Sequence, residues 1–530
     1  MNKPRGRLLA WGALGLALLL GVLLRVLPLF AARPYTAYFD EGYALHPAAR
    51  MVRDGGWDPG IYRYGQLPMN VVAAVVRAVD PVYGLLRGRT LRERIPEESL
   101  LYDDLEPFPL LLIGRALCVL VGMGIVVLVG LLAWRLGGPT AGAAALAVVA
   151  LVPALVLRGP IATVDPYAVF FALACVYLTE RSRAGLHTGT VSLAAGAAAG
   201  LACACKYPTV LVLLVFPAAT ALFPLPWREK VRHLALAAAG VVAGAAVGMP
   251  IALVRAAEIV RSARYLQSTY ESWAAPYLLD QALVRAEWDL DFTRPELGAT
   301  FTLLALAGLV VGLRRRESRA TFFGISVFAV ASLAFVSLRS FQPFRNVLAL
   351  VPLACVAIGV LFARVRARLR WPLIYVADAL LAAWLLGVYV VPLAAYTRLR
   401  VALADPRRLT LDWVAQHAGA RDRVLLVRDA AFLNQELERL GGRASSAWFD
   451  LLAAEAERTA PRFLIVGSLS RPGGEPDDLA ASPSIRAAYV ERYCAGTTAT
   501  PADPERWRGN DQRLCVLEDR KSTRLNSSHT

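Results

Sequence analysis

The sequence predicts a polytopic α-helical membrane protein with about eleven transmembrane helices and a small extracytoplasmic α/β domain at its C-terminal end. Three observations carry this. Of 530 residues, 57% are hydrophobic and only 18% charged, whereas soluble domains carry about 25% charged residues. The apolar residues fall in blocks such as Leu8 to Phe30 and Phe108 to Trp134, long enough at about 1.5 Å per residue to cross a hydrocarbon core of roughly 30 Å. Beyond Asp405 these blocks stop and shorter alternating segments begin.

The first block follows Lys3, Arg5 and Arg7 and superficially resembles a secretory signal. Its length, and the lack of a small-x-small site before Pro34, favour an uncleaved signal anchor over approximately 8–31. Further spans are expected at approximately 108–134, 140–157, 164–180, 189–205, 207–223, 234–254, 296–313, 320–338, 345–363 and 371–395. With the N-terminus inside, the inner segments collect Arg135, Arg181, Arg183, Arg228, Lys230, Arg232, Arg314 to Arg316, Arg319 and Arg364 to Arg370. The short outer loops hold only Arg158, Lys206, Arg339 and Arg345. The positive-inside rule selects this orientation. It accounts for much of the net charge of +16, and no aromatic-interleaved basic patch points to nucleic acid.

Residues 1–395 are read as the membrane domain. It includes a first outer loop, 32–107, with interfacial helices over Leu67 to Val79, and a second, 255–295, whose Arg255 to Tyr270 stretch also suits the interface. Residues 396–520 read as soluble α/β: helical Leu409 to Ala418, strand Arg423 to Arg428, helical Ala430 to Gly441, and strands Arg462 to Val466 and Arg513 to Leu517. The polar tail 521–530 reads as disordered and foreign to the rest of the chain. The seven cysteines form no CxxC pair. Cys494 and Cys515 both fall outside, where an oxidising compartment could join them; two separate thiols are the alternative.

Ionisable groups near the bilayer carry the chemical information, because burial of a charge costs several kcal/mol unless pairing or function compensates. Asp40 and Glu41 follow the first span, in Tyr38-Phe39-Asp40-Glu41-Gly42-Tyr43. Taken alone, they suit a solvated turn or the first turn of a helix. Arg158 and Asp165 bracket a short outer connection, with Asp165-Pro166 as a helix start. Lys206 lies between two apolar stretches, where snorkelling is the bland explanation. Yet topology brings Asp40, Glu41, Asp165, Lys206, Arg339 and Arg345 to one face. Acids and fixed cations there suit departure of a phosphate and deprotonation of a hydroxyl.

In order and spacing, this arrangement resembles the GT-C glycosyltransferases of the protein O-mannosyltransferase and aminoarabinose-transferase type, over roughly Leu8 to Val360. The resemblance rests on Asp40-Glu41, Arg115, Ala162-Thr163-Val164-Asp165, Gly196 to Gly200 leading into Lys206-Tyr207, and Arg345 to Pro352. One departure stands out: Tyr64-Gly65-Gln66-Leu67-Pro68 occupies the place of a His-Pro-Pro-like segment, which leaves His46 as an additional outer candidate. The resemblance implies a polyprenyl-phosphate-linked sugar donor, a hydroxyl-bearing acceptor (protein, lipid or envelope polysaccharide) and an inner (plasma) membrane location. Asp40 would be the general base, with Glu41 beside it in the catalytic pair. Lys206 and Arg345 would hold the phosphate, and Asp165, Arg158, Tyr207 and His46 would complete the substrate site. No cofactor is assigned, and a divalent ion between Asp40 and Asp165 is the metal reading left open. The rivals are a transporter or flippase, and a noncatalytic envelope-assembly partner. Charge clustered at one face instead of the midplane, and the lack of paired interrupted segments, weigh against transport.

Overall fold

The structure, a computed structural model, describes residues 4–30, 40–95, 108–183, 188–272, 299–337, 344–394, 397, 406–419, 422–427, 444–447, 454–456, 458–470, 476–478, 487–495 and 514–520. The expected helix 430–441, Arg339 and the tail 521–530 lie outside them, as does the side chain of Asp40.

The first helix is α1 (Pro4–Val26), continued by a 3-10 turn over Leu27–Phe30. The segment between the first helix and α4 carries α2 (Asp40–Asp54) and α3 (Leu67–Arg87). Then follow α4 (Phe108–Gly137), α5 (Pro139–Leu151), the short α6 (Pro153–Val156), α7 (Asp165–Arg183) and α8 (Thr188–Cys205). A 3-10 stretch over Tyr207–Leu214 leads into α9 (Val215–Ala221), and α10 (Trp227–Gly248) and α11 (Ala252–Ser272) follow. The remaining membrane-region helices are α12 (Ala299–Arg314), α13 (Arg319–Ser337), α14 (Leu350–Arg368) and α15 (Leu373–Trp384). Among the described residues, six helices are long and apolar enough to cross a membrane, and five shorter apolar helices coincide with other expected spans.

Local chemistry explains several boundaries. The α4–α5 reversal uses Gly138 at φ +83, a left-handed conformation costly for residues with a Cβ, followed by Pro139 at the first helical position. The α8–α10 packing is built from small residues. A Cβ on Gly196, Gly200, Gly240 or Gly244 would run into the facing helix's backbone, so these glycines let the two helices touch directly. The main core lies where α4, α5, α7 and α14 meet, around Val126, Val148, Val176 and Val356.

One helix differs from expectation. The stretch read as too short to span continues through Pro81 to Arg87 and is among the six able to cross. Its first half buries Met69, Val72, Ala73 and Val76, whereas its second half exposes Val82, Leu85 and Leu86. Internal Pro81 does not end it.

Toward the C-terminus, α16 (Pro406–His417) packs on a sheet of β1 (Val424–Val427), β2 (Ala444–Ala447), β3 (Phe463–Ser470), β5 (Tyr489–Ala495) and β6 (Leu514–Asp519). Strand order is β2-β1-β3-β6-β5, and β4 (Pro476–Asp478) pairs with β3. β1 runs parallel to β2 and β3, while β6 is antiparallel to β3 and β5. Leu425, Leu464, Ile465, Val516 and Val414 form its core. Cys494 and Cys515 face each other across β5 and β6 and are disulfide-bonded.

Candidate active site

Asp40 and Glu41 open α2. Glu41 does not face water: its carboxylate accepts from Arg115 Nε at 2.8 Å and Arg115 Nη2 at 2.9 Å, and both side chains are 0% exposed. Arg115 Nη1 also donates to the Leu29 carbonyl, and the Ala162 N–H donates to Glu41 Oε1 at 3.0 Å. One carboxylate therefore ties α2 to α4, to the end of the first helix and to the turn ahead of α7. Gly114 on α4 makes room, since a Cβ there would lie 2.6 Å from Leu45 Cδ2 and 3.1 Å from Ala162 Cβ. The paired geometry fixes Glu41 in the first turn of α2.

The same turn delivers Asp165 to the start of α7. Lys206, at the break between α8 and the following 3-10 stretch, donates to Asp165 Oδ1 at 2.7 Å and to the Arg345 carbonyl at 3.3 Å. The pair is largely shielded, at 9% and 7% side-chain exposure for Lys206 and Asp165. A small cleft is lined by Tyr43, Ala44, Tyr64, Thr163, Val164, Asp165, Lys206 and Arg345. Five separate parts of the chain meet there: α2, the loop between α2 and α3, the α6–α7 turn, Lys206 at the end of α8, and the segment before α14.

The loop between α2 and α3 is held at this cleft by its own contacts. Tyr207 OH bonds the carbonyls of Tyr62 and Tyr64 at 2.9 and 3.2 Å. A Cβ at Gly65 would collide with the Ala204 and Cys205 backbone, so glycine permits the loop to sit on the end of α8. Tyr62 donates to Asp58 at 2.7 Å, and Asp58 lies 3.8 Å from Arg255 of α11. Burial and the bond to Asp58 push the Tyr62 hydroxyl up to about 12. Arg63 lies over the Tyr43 and Tyr265 rings at 6.0 and 4.9 Å.

Of the expected site residues, Asp165, Lys206 and Arg345 line the cleft, and Tyr207 anchors the loop above it. Glu41 belongs to the adjoining buried network. His46 is buried on α2 and Arg158 partly buried in the turn; neither lines the cleft. Sequence reasoning missed Tyr43, Tyr64 and Thr163, whose types carry no signal outside the tertiary setting. It also missed Arg25, at 1% exposure in the first span, which donates to the carbonyls of Gly21, Val149 and Ala150. That residue was findable, because an arginine inside an apolar span is itself the signal. It satisfies carbonyls at the C-terminal end of α5.

As for metals, Asp165 Oδ1 is taken by the Lys206 ammonium. Among the described residues, the grouping with metal-like spacing is Glu491, Cys494 and Cys515, far along the chain in the C-terminal sheet. Its two sulfurs are bonded to each other, so it does not suit an ion.

A family model described as dolichyl-phosphate-mannose-protein mannosyltransferase matches residues 111–262, less than half of the chain. A search of curated proteins by sequence finds no match. Among solved structures, the Archaeoglobus fulgidus oligosaccharyltransferase in complex with Zn and sulfate aligns with a TM-score of 0.53 at 15% identity, covering 86% of this chain and 67% of that one. ArnT from Cupriavidus metallidurans in the apo state aligns at 0.51 and 15% identity, covering 96% of this chain and 98% of that one. The same ArnT bound to undecaprenyl phosphate aligns at 0.50 and 15%, covering 97% and 98%. The chain has the GT-C fold of these structures. The segment matched by the family model includes Arg115, Asp165 and Lys206, but neither Asp40 nor Arg345.

Proposed function

We propose that this protein transfers a monosaccharide from a polyprenyl-phosphate carrier to a hydroxyl acceptor at the outer face of the inner (plasma) membrane. One observation carries the reading: within a GT-C fold, Lys206, Arg345 and Asp165, remote in sequence, line one cleft beneath a tyrosine-bearing outer loop. A lysine as a point charge and an arginine as a planar fork suit a phosphate. Tyr43 and Tyr64 suit the sugar, offering ring faces and hydroxyls together.

The chemistry is a single displacement. The acceptor oxygen attacks the anomeric carbon and its proton passes to Asp40. The bond from that carbon to the phosphate oxygen breaks, and the phosphate keeps the electron pair. Glu41, held by Arg115, fixes the helix start on which Asp40 stands. The chain crosses the membrane about eleven times in this reading, with its N-terminus cytoplasmic. The Cys494–Cys515 disulfide suits an oxidising exterior.

The test is transfer from a panel of radiolabelled polyprenyl-phosphate sugars in liposomes, with an acceptor-rich envelope extract. Native protein should transfer one sugar, and Asp40→Asn and Lys206→Ala should lose at least a hundredfold in rate, in keeping with the roughly 10²–10⁴ attributable to a general base. An inserted Asp40→Asn protein working at the native rate would overturn the mechanism.

A further inference from the structure

The ammonium assigned above to the lipid phosphate already carries a carboxylate, and the reaction changes the charge on that phosphate. In the donor, phosphorus is esterified to both lipid and sugar and bears one negative charge. Once the sugar bond breaks and the electron pair stays on oxygen, the product is a phosphomonoester, which approaches two negative charges above a second pKa near 6. Resting on the donor-phosphate reading of this cleft, we propose that Asp165 is a charge selector: it leaves Lys206 able to hold the singly charged phosphodiester donor and weakens its hold on the doubly charged product, favouring release.

The geometry supports sharing of Lys206, not displacement of Asp165. An ammonium has three N–H donors. Two are used, on Asp165 Oδ1 at 2.7 Å and on the Arg345 carbonyl at 3.3 Å. The third has no partner among the described residues, in a cleft also lined by Thr163, Tyr43 and Tyr64. With side-chain exposures of only 9% and 7%, separating the pair would leave an uncompensated buried charge. An incoming phosphate therefore meets Lys206 with Asp165 still attached. The carboxylate repels it in proportion to its charge, and shielding from water makes that repulsion larger than in bulk solvent. The other charged pair packed nearby, Glu41 with Arg115, is mutually neutralised and bears equally on both ligands.

The experiment uses the full chain in nanodiscs at pH 8 and two unreactive probes, a polyprenyl phosphate and its methyl diester. It measures the ratio of their dissociation constants. In Asp165→Asn the ratio should shift at least tenfold toward the monoester. In case that variant fails to insert, Asp165→Ser removes the same charge with a smaller side chain and keeps Lys206, and it should show the same shift. A ratio within threefold of native in the inserted variant overturns the selector while leaving the site's phosphate reading intact. Failure of native protein to bind either probe overturns both.

Discussion

Glu41 and Arg115 form a two-point ion pair at 2.8 and 2.9 Å, wholly excluded from solvent, between residues 74 apart in sequence. With the Leu29 carbonyl and the Ala162 N–H joined to it, the pair connects α2, α4, the end of the first helix and the turn ahead of α7. Removing one partner leaves a buried charge alone, at a cost of about 3–5 kcal/mol. Glu41→Gln and Arg115→Met should each lower the thermal unfolding midpoint in detergent, and the double variant should recover part of the loss. Additive losses would mean that the two residues act separately.

The glycine seam between α8 and α10 should be equally intolerant of bulk. A side chain at Gly200 meets the backbone at Val241 and Ala245. Gly200→Leu should push the helices apart, displace Lys206 at the end of α8, and reduce both folded yield and phosphate binding. Gly15, with open space around its Cβ direction, is the control: Gly15→Ala should leave both unchanged.

The loop between α2 and α3 should loosen in alkali. Tyr62 titrates at about 12 in the folded protein against an ordinary value of 10.0. Because the folded pKa is the higher one, its stabilising effect is complete below 10 and declines as pH rises toward 12. Nicking of residues 55–66 by subtilisin should accelerate between pH 9 and pH 11 relative to a control loop, and Tyr62→Phe should abolish that pH dependence.

The C-terminal sheet should depend on its disulfide. The bond spans 21 residues, for which chain entropy predicts roughly 3 kcal/mol. Cys494→Ser should lower the unfolding midpoint of this region and speed its proteolysis, with the membrane region unaffected. An unchanged midpoint would show that β5–β6 pairing and the Leu464–Leu517 and Ile465–Val516 pairs suffice.

Much of this molecule is legible in one dimension, for a physical reason: the bilayer is a solvent that every spanning segment must satisfy by itself. Block length and hydropathy therefore announce the helices, and each expected span overlaps a helical segment among the described residues. Strands β1, β3 and β6 were visible from their apolar runs. Short β2 and β4 and polar β5 were not, because their pairing partners, not their composition, make them strands. The ionisable residues that line the cleft were visible as costly exceptions in an apolar chain.

Their partnerships were not. Nothing local in Glu41 distinguishes a reacting carboxylate from one locked on Arg115, and nothing in Lys206 distinguishes a snorkelling ammonium from one bound to Asp165. The choice depends on which helices lie side by side, and that follows from side-chain volume: glycines that admit α10 against α8, and Gly114 that admits Leu45 against α4. The sequence by itself determined a membrane-embedded helical chain with acids and bases gathered on one side. The tertiary structure alone decided which charges neutralise one another, because that is set by distances of a few ångströms that packing fixes and periodicity does not encode.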